Sequence, residues 1–221
     1  MPQAISYSLF ALAYGTLGLI LIKIGRVIHD KLSLQHINKT EEILKQNITI
    51  GIVDAAGAIA TAIIIRAVLL WVHGLDVNTF IAIIAGFVIS QAILLLVTRL
   101  KERQYAKNNQ GSCLQEAFSQ GQTAIAIRYA GQLISTALAV TAASHFLTYS
   151  PETLLNTLVS WFVIAIIMTL LVAILTAIAK RIVLWGINLV EEVDQQQNIG
   201  VACVEMATSI SIALILAALM A

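Results

Sequence analysis

The sequence predicts an all-α integral membrane protein with six transmembrane helices, arranged as three tandem two-helix repeats. Three observations lead to this prediction. The chain of 221 residues is 59% hydrophobic and only 11% charged, whereas soluble domains carry about 25% charged residues. Six apolar stretches each come close to the roughly 20 residues that a helix needs to cross a bilayer. Finally, a motif at the start of the second stretch returns later in the chain.

Two kinds of connection join the apolar stretches. We predict membrane helices over 5–28, 48–72, 80–97, 123–143, 155–182 and 201–221. The connections after the first, third and fifth helices are long and polar, and those after the second and fourth are short. The chain therefore divides into membrane hairpins over 1–73, 74–147 and 148–221.

The basic residues indicate the orientation in the membrane. Every Lys and Arg other than Arg66 and Arg128 flanks one of the long connections. Because positive charge is retained on the cytoplasmic side, we expect these connections in the cytoplasm and both termini outside. Residues 1–22 contain no Lys or Arg, so we expect no cleaved signal peptide. A net charge of +1 gives no basic footprint for nucleic acid.

The repeated motif opens every second predicted helix. It reads NITIGIVDAAGAIATAIIIRA from Asn47 and NIGVACVEMATSISIALILAA from Asn198, with a weaker copy, GQTAIAIRYAGQLISTALAVT, from Gly121. An internal period of about 75 residues is the signature of a repeat architecture. Since each unit makes two crossings, successive copies should enter the membrane in the same orientation, as parallel repeats.

Small and polar residues form a stripe on each repeated helix, since steps of three, four and seven residues return to one helical face. The stripe contains Asn47, Gly51, Thr61, Gln132, Ser135, Asn198 and Ser209. In lipid, such stripes face other helices. We therefore expect the repeated helices to line the inside of the bundle.

Three ionisable residues occupy the same position in the three copies of the motif. Asp54, Arg128 and Glu205 each stand about 10 Å along their helix. A lone charge in hydrocarbon costs roughly 2.5–3.5 kcal/mol or more, so we expect the three to meet in one intramembrane cluster. The excess negative charge would be balanced by a proton or a bound cation.

Two interpretations of this cluster stay open. It could be the site of a proton- or cation-linked transporter or channel. Alternatively, it could be an ion network that only holds the hairpins together. In that case the protein would be structural, or would recruit a membrane-maintenance or stress protein to its cytoplasmic connections. The partners expected are the lipid bilayer, a second copy of the chain, and such a cytoplasmic protein.

The sequence contains none of the familiar catalytic patterns. There is no nucleophile elbow, phosphate loop or His-Glu-x-x-His motif. Its histidines and cysteines lack metal-ligand spacing or a plausible pairing: His29, His36, His73, His145, Cys113 and Cys203. We therefore expect no enzyme activity, metal site or cofactor.

The segments NITIGIVDAAGAIATAIII from Asn47 and NIGVACVEMATSISIALIL from Asn198 resemble a bacterial membrane family, domain of unknown function 350, which includes YjfL-like proteins. The resemblance implies a multi-pass protein of the bacterial plasma (inner) membrane. Combined with the orientation expected from the basic residues, this places both termini in the periplasm. The resemblance also implies an undefined activity and no catalytic residues. The middle unit departs from the pattern, because Gly121 replaces Asn and Arg128 stands at the acidic position.

Overall fold

A computed structural model describes residues 2–35, 37–72 and 76–219. Over these residues the chain is helical, without strands. Its long helices are α1 (Pro2–Ser33), α3 (Ile48–Trp71), α4 (Val77–Asn108), α6 (Thr123–Ala142), α7 (Leu154–Val183) and α8 (Ile199–Leu219). The short helices are α2 (Lys39–Leu44) and α5 (Leu114–Ser119), with a 3-10 turn at Ala143–His145 and a π-helical turn at Val190–Gln195.

Six of these helices are long and apolar enough to cross a membrane. The all-α class and, over the described residues, the number of helices able to cross a membrane are therefore confirmed. Several helices extend beyond the apolar stretch that predicted them. For example, α4 continues to Asn108, past its predicted end at residue 97. Hydropathy marks only the apolar part of a helix, whereas the charged turns that follow remain helical.

Each long connection ends in the same backbone device. A short helical segment is followed by one residue in the left-handed region and then by a new long helix. The left-handed residues are Gln46, Gly121 and Gln197, with φ of 62°, 78° and 55°. The next residue directly precedes the long helix. The Asn47 side chain accepts hydrogen bonds from the backbone N–H groups of Thr49 and Ile50, and Asn198 accepts one from Val201.

The structure offsets the middle copy of the motif by one residue from the gapless alignment of the three copies. In that alignment Gly121 stands opposite the two asparagines, but the cap of α6 is Gln122. Glycine adopts a positive φ at no steric cost, which explains why it takes the left-handed position before the cap. In this register Tyr129, and not Arg128, stands where the other copies carry Asp54 and Glu205.

The long helices pack around α6. It lies between α3 and α8 in a row and packs closely on both, α4 and α7 also contact it, and α1 packs on α3 and α4. Small residues permit the close contact between α6 and α8, since a Cβ on Gly131 would lie 2.7 Å from the Cα of Met206. The predicted stripe of α8 faces other helices, since Ala202, Glu205 and Ser209 are buried. The opposite face of α8 is exposed at Val204, Leu214 and Ile215.

Candidate functional site

The three predicted intramembrane charges divide between two separate clusters. Arg128 Nε donates a hydrogen bond of 2.6 Å to Glu205, as expected. Asp54 is paired instead with Arg26 at 2.6 Å and with Lys39 at 2.8 Å. Among the ion pairs of the described residues, none joins Asp54 to Arg128, so the expectation of a single cluster containing all three is wrong. Asp54 therefore pairs with cations other than the one that the sequence pattern assigned to it, whereas Glu205 keeps Arg128.

The first group, here called the Asp54 cluster, consists of Arg26, Asp30, Lys39 and Asp54. Lys39 comes from α2 and lies between the two carboxylates, bonded to Asp30 at 2.5 Å and to Asp54 at 2.8 Å. The Arg26 side chain is 43% exposed and reaches Asp54 from α1. Two cations and two anions make this cluster neutral.

His29 lies beside the Asp54 cluster and connects it to α6. Its ring is buried, and its Nε2 lies 3.1 Å from the Tyr129 hydroxyl. Of the other histidines, His145 is exposed in the 3-10 turn, while His36 and His73 lie outside the described residues. Over the part of the chain that the structure describes, no group of three His, Cys, Asp or Glu side chains could hold a metal ion.

The second group, here called the Glu205 cluster, consists of Arg128, Lys180, Asp194 and Glu205. The Arg128 guanidinium bonds both carboxylates and also donates to the Leu189 carbonyl at 2.7 Å. Lys180 donates to the other oxygen of Glu205 at 2.8 Å. The acids are deeply buried, with 1% of the Asp194 side chain and 5% of the Glu205 side chain exposed.

The Glu205 cluster is neutral, so the expected excess of negative charge is absent. Lys180 and Asp194 supply the additional pair of charges, and sequence reasoning missed both as members of the site. Asp194 lies in the π-helical turn, outside the membrane helices. Burial raises the pKa of its carboxyl, although the Arg128 guanidinium and the Asn109 amide act in the opposite direction.

A cavity of about 960 Å³ lies against the Glu205 cluster, between α4, α6, α7 and α8. Of the predicted stripe, Gln132, Ser135 and Ser209 line this cavity together with Arg128 and Glu205. The stripe residues Asn47 and Asn198 instead lie just before α3 and α8, where their side chains accept hydrogen bonds from the first turn. On α3, Gly51 faces open space and Thr61 accepts a hydrogen bond from the Gln91 amide at 3.4 Å. The residues of the predicted stripe therefore serve different purposes: some line the cavity, some cap helices, and others lie on α3 away from the cavity.

Lys101 is a further cavity residue that the sequence analysis did not single out. It precedes the cap Gln122 by the same number of residues as Arg26 precedes Asn47. Arg26 faces the carboxylate of Asp54, but the corresponding position opposite Lys101 is Tyr129. Among the described residues no carboxylate lies within 4.0 Å of the Lys101 ammonium, whose hydrogen bond goes to Gln104 at 3.4 Å.

Comparison with known families gives a match over nearly the whole chain. The family model described as Domain of Unknown Function (DUF350) matches residues 3–69 and 70–220. No curated protein matches the sequence, and no solved structure does so either.

Proposed function

We propose that this protein is a proton-linked transporter or channel. The chain belongs to the Domain of Unknown Function 350 family and has six helices able to cross a membrane. The solute site in this proposal is the cavity between α4, α6, α7 and α8. One observation carries the proposal: Glu205 is held between Arg128 and Lys180 at the wall of this cavity.

Charged residues within membrane helices are costly, and they commonly mark ion or substrate pathways. An ion network that only holds helices together needs no space beside it. The Glu205 cluster faces a cavity of about 960 Å³, which falls in the range of roughly 300–1,000 Å³ for ligand sites. The cavity is also polar enough on one side to hold water, which needs hydrogen-bonding partners.

Protonation of Glu205 provides a physical link between a proton and a solute. Arg128 and Lys180 both bond the Glu205 carboxylate. If the carboxylate gains a proton, its negative charge is lost and the Lys180 ammonium becomes available to the cavity, while Arg128 stays bonded to Asp194. An anionic solute would then bind more tightly, and by reciprocity its binding would favour the proton. The coupling therefore needs only the residues already in contact.

The experiment compares two carboxylates that differ in their access to the cavity. The protein is reconstituted in vesicles containing a pH-sensitive dye, and a pH gradient is imposed. Glu205→Gln should reduce proton flux to the level of empty vesicles, because it removes the titrating group at the cavity. Asp54→Asn should retain the flux, since Asp54 does not line the cavity. Unaltered flux in Glu205→Gln, with the melting temperature preserved, would refute the proposal.

The proposed orientation places the three long connections in the cytoplasm of a bacterial cell and both termini in the periplasm. The distribution of basic residues supports it, and the shared backbone device of the connections supports three two-helix units. Cys113 tests the orientation directly, because it is exposed at the start of α5. In a Cys203→Ser background, a membrane-impermeant maleimide should label Cys113 only after the cells are permeabilised. Labelling of Cys113 in intact cells would indicate the opposite orientation in the membrane.

A second candidate is a purely structural role, and the Asp54 cluster favours it. This cluster is neutral, its cations and acids are paired, and its residues do not line the cavity. If the whole protein were built for this purpose, Asp54→Asn and Glu205→Gln would both lower stability and no protein-dependent flux would occur. Recruitment of a cytoplasmic partner to the polar connections stays a prediction.

A further inference from the structure

We propose that the cavity binds an anionic amphiphile, a molecule with an acidic head group and an apolar chain, which enters from the lipid between α4 and α7. Lys101 binds the head group, and α7 contacts the apolar part. This inference rests on the proposed solute cavity and names the class of its ligand.

The charge of the cavity favours an anion. Four basic side chains line it, namely Lys101, Arg128, Lys180 and Arg181, against the two acids Asp194 and Glu205. Both acids are already engaged by Arg128 and Lys180. Lys101 therefore faces the cavity without a carboxylate partner among the described residues. A negatively charged oxygen beside it would supply the missing charge and accept a charge-assisted hydrogen bond.

Thr176 supplies a second, independent indication of a ligand. It lines the cavity, the residue is only 8% exposed, and its hydroxyl has no hydrogen-bond partner among the described residues. Buried hydroxyl groups are normally hydrogen-bonded, and an unsatisfied one needs an explanation. Thr176 lies one turn before Lys180 and therefore on the same face of α7. The hydroxyl oxygen has less than 1 Å² of accessible surface, so it would donate to a bound head group after rotation about χ1.

The rest of the lining is apolar and reaches the outer surface. Leu100 on α4 and Leu170 on α7 both line the cavity, and they are 52% and 58% exposed. The cavity thus opens sideways between these helices. In a membrane, that surface contacts acyl chains. Val172, Ala173 and Ala177 continue the apolar wall inward. An anion without an apolar chain would use only the basic end of this space, whereas an amphiphile would fill both ends.

The test measures saturation binding of radiolabelled dodecyl phosphate to the full chain in micelles of a neutral maltoside detergent. Unlabelled dodecyl phosphate should compete, while inorganic phosphate and dodecyltrimethylammonium should not. Lys101→Met keeps the length of the side chain and removes its charge, so affinity should fall at least about tenfold. Thr176→Val keeps the shape and removes the hydroxyl, and should weaken binding several-fold. The matched control is Arg103→Met, an exposed α4 residue that does not line the cavity.

The outcomes separate the possible ligands. Equal affinities for Lys101→Met, Thr176→Val and the control would overturn the site. Competition by inorganic phosphate as strong as by dodecyl phosphate would identify a free anion in place of an amphiphile, and competition by the cationic detergent would refute charge recognition. Melting curves establish that each variant is folded. Failure of proton linkage is distinguished by Glu205→Gln: if its flux is unaltered while dodecyl phosphate binding persists, the transport proposal fails and the binding site remains.

Discussion

Replacing Arg128 with alanine should destabilise the protein more than any other single change in the Glu205 cluster. The guanidinium bonds Glu205, Asp194 and the Leu189 carbonyl at once. After the substitution Glu205 retains Lys180 at 2.8 Å. The stranded charge is therefore mainly that of Asp194, whose side chain is 1% exposed.

The expected size of the effect follows from these remaining contacts. Removing one partner of a buried ion pair costs about 3–5 kcal/mol when the other charge is left uncompensated. Here Glu205 keeps one cation and Asp194 keeps a hydrogen bond from the Asn109 amide at 3.1 Å. We therefore expect the lower end, about 3 kcal/mol in the free energy of unfolding. Asp194→Asn in the Arg128→Ala background should recover part of this loss, because it removes the stranded charge.

Unfolding in mixed detergent micelles can be followed by tryptophan fluorescence, since Trp71 and Trp161 are buried with their rings 6.3 Å apart. The matched control is Arg181→Ala. Arg181 lines the same cavity but is exposed, and surface substitutions usually change stability by less than about 0.5 kcal/mol. The reasoning would be refuted if Arg128→Ala and Arg181→Ala unfolded at the same denaturant concentration.

Three further measurements test the helix contacts and caps. Gly131→Ala should cost about 1–3 kcal/mol by overpacking against Met206, whereas Gly51→Ala, which meets nothing within 4 Å, should cost nothing; equal unfolding curves would contradict the close contact. Asn47→Ala removes the side chain that caps α3 and should lower the free energy of unfolding by about 1 kcal/mol. An unfolding curve identical to that of the parent protein would show that this cap does not contribute to stability. The Asn47 amide lowers the pKa of Glu42, so Glu42→Gln should melt below the parent protein at neutral pH and converge with it well below pH 4.5; a gap that persists there would disprove the linkage.

The spanning helices could be predicted from sequence because apolar length alone determines whether a helix can cross a bilayer. The ends of these helices could not. The polar turns of α4 up to Asn108 carry several charges and resemble a loop by hydropathy, but Lys and Arg are good helix formers in water. The predicted connection over 98–122 is consequently mostly helical.

The partners of the buried acids were beyond sequence reasoning for a different reason. Lys39 and Lys180 flank long connections and were counted only as markers of the cytoplasmic side. Folding of the chain brings both ammonium groups onto the carboxylates, Lys39 onto Asp54 and Lys180 onto Glu205. The side chains of Lys can extend along apolar surface to reach such positions, and a sequence pattern does not record that reach.

The register of the middle unit was predicted one residue away from its observed position. A gapless comparison aligned Gly121 with the two asparagines, although a glycine between Gln120 and Gln122 fits the left-handed position that precedes a helix cap. That local signal could have corrected the alignment. It would have placed Tyr129, and not Arg128, at the position of the two acids.

The row formed by α3, α6 and α8 does not close into a ring, and this has a mechanical consequence. α3 and α8 each pack mainly on α6. In the proposed array of two-helix units, the resistance to unfolding is approximately a sum over adjacent interfaces. Tension applied at α8 would therefore act first on its interfaces with α6 and α7, and α8 would separate while α1 and α3 remained folded.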